Sequence, residues 1–139
     1  MTDHLPVGSV ISGYPYLWRW QRDRRETEGR KNRPACVAVS MHSSNGLTHL
    51  VLLPITSTPP YADQTAIKLP TLEIKRIHLD PTKDAWIIVS EYNYDIVQLS
   101  YSLQLSNEIL PTLSPAMLKI VLTAFRAFLT QPTARIDRL

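Results

Sequence analysis

The chain is short of cysteine and glycine and has no long apolar run. Of its 139 residues one is cysteine, Cys36, and four are glycine. A single thiol excludes a disulfide within the chain and suits a reducing compartment. It also gives no anchor for a zinc cluster, and His4, His42, His49 and His78 fall at no ligand spacing, so no metal or other cofactor is expected. A glycine-rich phosphate loop is absent, and no serine sits in a nucleophile elbow. No apolar stretch approaches the ~20 residues needed to span a bilayer. The start MTDHLPVGSV lacks the basic and apolar regions of a signal peptide. The expectation is a cytoplasmic protein with no membrane attachment. Hydrophobic residues make up 44% and charged residues 19%, which places the chain among globular rather than disordered sequences. Its length suits one domain, residues 1–139, with one core.

Eleven prolines are present, and they favour short strands and turns over long helices. GSVISGYPYLWRW begins as a strand. Residues 33–40 and 47–55, two apolar runs around the turn HSSNG, read as an antiparallel hairpin. TAIKLP is a short strand. TLEIKRIHL, residues 71–79, reads as a strand whose phase shifts at Ile77, which implies a bulge or bend. AWIIVSE is a buried strand ending at an acid. IVQLSYSLQL, residues 96–105, alternates through Val97, Leu99, Tyr101 and Leu103 and reads as a half-exposed strand. A helix follows. Ser114 is placed to cap it, Pro115 suits its first position, and Leu118, Val121, Leu122, Phe125, Phe128 and Leu129 form one apolar face. A short tail, about 131–139, ends the chain. Many short strands before one helix imply a mainly β domain, a small barrel or strongly curved antiparallel sheet with the helix packed on it.

The net charge of +3 is small, but seven of the fifteen basic residues lie between Arg19 and Arg33. The segment at about 19–32 is polar and without periodicity, so it is expected to be a long, mobile loop. Its Arg19, Arg22, Arg24, Arg25, Arg30 and Lys31 suit phosphate contact. Asp23, Glu26 and Glu28 interrupt the run, and a solvated loop is the other reading. Tyr14, Tyr16, Trp18 and Trp20 alternate, either as core and rim or as a stacking surface for bases.

The remaining candidates stand at strand ends. Arg33 opens one arm of the hairpin, and Thr56, Ser57 and Thr58 close the other. A hairpin brings these to the same end. Glu91 closes WIIVSE. A guanidinium and hydroxyls beside a carboxylate have the chemistry to grip a phosphate and move a proton. The same residues also serve as turn caps and surface ion pairs.

The order GSVI, RPACV from Arg33, PITST from Pro54, LDPTKDAWIIVSE from Leu79 and the helix LSPAMLKIVLTAFRAFL resembles the MazF/PemK family of toxins from toxin–antitoxin systems. The resemblance covers about residues 7–129. It implies a small SH3-like barrel, a homodimer, a cognate antitoxin and metal-independent cleavage of single-stranded RNA. The family's active-site pair matches Arg33 and Thr56, with Ser57 as the adjacent hydroxyl. Arg33 suits charge stabilisation on phosphoryl oxygens, and Glu91 or His78 would take the 2′-OH proton. Val89 stands where some members carry a second arginine, and Tyr92 where glutamine is common. A non-catalytic member binding nucleic acid or protein, including a gyrase-poison-like role, is the alternative.

Overall fold

The computed structural model describes residues 5–105 and 108–139; His4 lies outside them. In chain order the elements are β1 (Val10–Tyr14), α1 (Arg19–Asp23), β2 (Arg33–His42), β3 (Thr48–Thr56), β4 (Ala66–Lys68) and α2 (Thr71–Arg76). They continue with β5 (Trp86–Ile88), β6 (Tyr92–Ile96), α3 (Tyr101–Leu105), β7 (Glu108–Leu110), α4 (Pro115–Leu129), a 3-10 turn (Pro132–Ala134) and β8 (Arg135–Asp137). Among the described residues eight strands join in one mainly antiparallel sheet, with the path β4-β5-β3-β2-β1-β7. β6 pairs with β3 and carries β8, which runs parallel to it. The pairings leave the sheet open, so it is a curved sheet rather than a closed ring. No helix among the described residues is long and apolar enough to cross a membrane.

The β2–β3 hairpin is the centre. Ala35 faces Pro54 and His42 faces Thr48 across it, with one register shift between Val37 and Val39. Its continuous apolar runs have a physical cause: both faces of this part of the sheet are covered. Cys36, Ala38, Val51 and Leu53 pack with Met117, Val121 and Phe125 of α4 and with Ile74 and Ile77. Ala35, Val37, Leu50 and Leu52 pack on the other face with Tyr14, Tyr16, Trp18, Val97 and Leu103. Ser114 caps α4 through its hydroxyl, which accepts from the Met117 N–H at 3.2 Å, and Pro115 opens it. Tyr92 holds this helix down. Its ring meets Phe125 edge-on at 5.5 Å, and its hydroxyl donates to the Leu129 carbonyl at 3.0 Å.

Two expected strands are helices. Residues 71–76 form α2, followed by the αL residue His78 (φ 61°). Leu79 N–H donates to the Ile74 carbonyl and His78 N–H to the Lys75 carbonyl, the paired bonds of a Schellman ending. Leu72 is 78% exposed while Ile74 and Ile77 are buried, so the inward spacing is three, not two. Residues 96–105 likewise finish β6, turn, and form α3. The Ser100 hydroxyl accepts from Leu103 N–H at 2.9 Å, and only Val97 and Leu103 of the alternating four are buried.

The basic segment is not one loop. It contains α1, which also closes on a Schellman pair around Arg25 (φ 64°), with Arg25 N–H on the Arg22 carbonyl and Glu26 N–H on the Gln21 carbonyl. Further along, a Cβ at Gly29 would lie 2.4 Å from the carbonyl oxygens of both Pro15 and Tyr16. The chain therefore lies directly against the end of β1. The tail adds β8, followed by Arg138, whose Nη1 donates to the Pro15 carbonyl at 2.7 Å and to Asn93 Oδ1 at 3.1 Å.

Candidate functional site

Register places the first two candidates together. Arg33 begins β2 opposite Tyr14 of β1, and Thr56 ends β3 opposite Trp86 of β5. Both residues front two adjoining clefts. An aromatic cleft of about 240 Å³ has Tyr16, Trp18, Trp20 and Tyr61 in its walls. A polar cleft of about 360 Å³ adds Ser57, Asp80, Lys83 and Asp84. Lys31 and Thr58 also line both.

Arg33 is half-buried. Its guanidinium lies 5.0 Å from the Trp18 ring centroid, and its Nε–H is buried without a partner among the described residues. Burial pulls its pKa below the ordinary arginine value, opposed by the Tyr16 and Tyr61 phenols. An unmade hydrogen bond on a buried donor costs about 1–3 kcal/mol, and the stacking on Trp18 offsets part of it, at ~0.5–2 kcal/mol. A charge desolvated with a spare donor suits an incoming anion. Thr56 is buried, and its Oγ1 accepts from Thr58 N–H at 3.1 Å. That bond leaves its own proton free to donate.

Glu91 lies elsewhere. It is 2% exposed, and its Oε1 accepts from Arg19 N–H at 2.9 Å and from the Tyr16 hydroxyl at 3.3 Å. It lines a third cleft of about 430 Å³, with Arg19, Trp20, Arg24 and Arg30, and neither cleft that Arg33 fronts. Burial pushes its carboxyl pKa up, against the Arg19 amide that lowers it. Tyr16 connects the two regions, lining the aromatic cleft while donating to Glu91. His78 lines none of the three clefts.

The basic residues divide. Arg24 and Arg30 stack on Trp20, at 5.4 and 4.9 Å from its ring centroid. Arg30 is fixed further by Glu26, at 2.6 Å. Arg22 turns away: its Nη1 donates to the Arg135 carbonyl at 2.7 Å and its Nη2 to the Thr133 carbonyl at 3.4 Å. Arg25 is exposed and lines none of these clefts. Lys31 is exposed at the mouth shared by the aromatic and polar clefts.

Sequence reasoning missed Tyr61, Gln64, Asp80 and Asp84. The pairing of Thr56 with Trp86 brings Asp84 to the end of β3, a contact that only the β3–β5 register reveals. Among the described residues no group of three His, Cys, Asp or Glu side chains gathers as a metal would need. Neither a protein-family model nor a curated protein nor a solved structure matches this chain.

Proposed function

We propose that this chain is a MazF/PemK-like toxin of a type II toxin–antitoxin system, a metal-independent endoribonuclease acting on single-stranded RNA in the cytoplasm. The observation that carries the reading is the shared position of Arg33 and Thr56 between two clefts of different chemistry. A strand of RNA laid across them would put a phosphate at the ridge and a nucleotide on either side. The 2′-oxygen attacks phosphorus, the bond to the 5′-oxygen breaks, and the leaving 5′-oxygen takes a proton from solvent water, so that a cyclic phosphate and a 5′-hydroxyl result. Negative charge grows on the phosphoryl oxygens, where Arg33, Thr56 and Ser57 donate. Asp84 takes the 2′-OH proton in this scheme. It lines the polar cleft, and the exposed Lys68 at 3.7 Å engages it only loosely, whereas Asp80 is occupied by the Thr82 amide and hydroxyl.

Incubation with single-stranded RNA in EDTA tests this directly. Fragments ending in a cyclic phosphate are expected. Intact RNA with a measurable binding shift would instead favour the non-catalytic reading. That reading has its own support, since Thr56 Oγ1 already caps its turn and the Arg–Trp20 stacks serve binding without cleavage. An acidic antitoxin competing for the same cations and a homodimer complete the proposal. A two-chain mass in sedimentation at micromolar concentration is the expected result for the homodimer.

A further inference from the structure

The third cleft holds a buried carboxylate that the cleavage scheme does not use. Glu91 Oε1 accepts two hydrogen bonds, from Arg19 N–H and Tyr16 Oη, while Oε2 has no partner among the described residues. The floor is therefore a fixed acceptor. The wall is planar and of mixed charge: Trp20 carries the guanidinia of Arg24 and Arg30 against its ring, and Asp23 and Asp63 line the same cleft. Gln64 lines the same cleft. Its Oε1 accepts from Tyr61 N–H at 2.9 Å, which leaves its amide N–H groups as donors. Tyr61, Trp20, Arg30 and Gln64 line both this cleft and the aromatic one, so the two are continuous.

A planar wall, an acceptor and a donor match one kind of ligand on a single strand: an unstacked base read on its Watson–Crick edge. Uracil, cytosine and adenine each place an acceptor beside their donor on that edge. Guanine alone presents two adjacent N–H donors followed by a carbonyl. We propose that the Glu91 cleft is a guanine-reading subsite beside the Arg33 ridge, with Glu91 accepting from N1–H and N2–H, Gln64 donating to O6, and the Trp20–arginine stack covering the face of the base. This rests on RNA binding at the proposed surface but not on cleavage.

The probe is a set of single-stranded 2′-fluoro oligouridylates, which lack the attacking hydroxyl, carrying one guanosine, inosine, adenosine or cytidine at the centre. Binding is read by fluorescence anisotropy. The guanosine oligomer should bind roughly tenfold or more tighter than the all-uridine one, the scale of a good paired base contact, with inosine between them. In Glu91→Gln, which keeps an acceptor for Tyr16 and Arg19, the guanosine advantage should vanish while all-uridine affinity holds. Trp20→Ala should weaken every oligomer alike. Equal affinity of guanosine and uridine oligomers, a guanosine advantage that survives in a folded Glu91→Gln chain, or no binding of any oligomer would each overturn the subsite. Base preference without cleavage of ordinary RNA would leave the subsite standing and remove the nuclease; cleavage without base preference would do the reverse.

Discussion

The guanidinium of Arg33 lies over the indole of Trp18 at 5.0 Å, with its Nε–H buried and unpartnered among the described residues. A planar cation held on a ring is not replaceable by a point charge. Arg33→Ala should lower RNA cleavage about 10²–10³-fold, the usual loss on removing a charge-stabilising donor. Arg33→Lys should recover little of it. Circular dichroism and thermal melting should show both variants folded, because the side chain is half-exposed and stands at a strand start. Cleavage near the parent rate by either folded variant would remove Arg33 from the mechanism.

Glu91 should give the fold an inverted pH dependence. Burial raises its pKa in the folded chain above the ordinary 4.5. The folded state thus keeps its proton to higher pH than the unfolded state does. Stability then falls as pH rises from 4.5 through the raised folded value, and the cost persists above it. Asp95, also buried and raised, contributes in the same direction from 3.8 upward. Glu91→Gln should flatten the fall in urea midpoint that sets in as pH rises above 4.5. An unchanged slope would mean that Glu91 is not desolvated.

Arg22 and Arg24 are two residues apart and should behave differently. Arg22 is spent on the carbonyls of Thr133 and Arg135. Arg22→Ala should therefore speed amide exchange in residues 132–137 and leave RNA affinity alone. Arg24 faces the Glu91 cleft, so Arg24→Ala should weaken binding of all RNA sequences and reduce the salt slope by about 1. Identical salt slopes for the two variants would contradict the division.

His78 ends α2 in the left-handed region without being glycine. Side chains there cost roughly 1–2 kcal/mol. The residue lines none of the three clefts, so His78→Gly should raise unfolding free energy by roughly 1 kcal/mol in denaturant titration and leave RNA cleavage unchanged. A destabilised variant would show that the imidazole makes a contact outweighing the strain.

Gly29 has the opposite character. A Cβ there would meet the carbonyl oxygens of Pro15 and Tyr16 at 2.4 Å, and backbone does not yield as a flexible side chain does. Gly29→Ala should push the 24–31 segment off β1, lower stability by about 1–3 kcal/mol and weaken RNA binding through Arg30 and Lys31. Parent-like unfolding and binding would show that this close approach is not required.

Local pattern by itself determined the hairpin, the capped C-terminal helix and the meeting of Arg33 with Thr56. Each rests on interactions between near neighbours: a turn joining two apolar runs, or Ser114 reaching Met117. Residues 71–79 and 96–105 were misread because three or four alternating apolar residues fit either a strand or a single helical turn. The Schellman endings at Arg25 and His78 carry no glycine to announce them. Charge pattern could not tell Arg22 from Arg24, since the difference is a pair of carbonyls more than a hundred residues away. Tertiary structure alone decided where Glu91 went. The chain turns at Ser90 and Glu91 between β5 and β6, and Tyr16, two residues past β1, and the Arg19 amide at the start of α1 come in to take one carboxylate oxygen. A buried charge settles where donors from distant elements converge, and no local spacing encodes that.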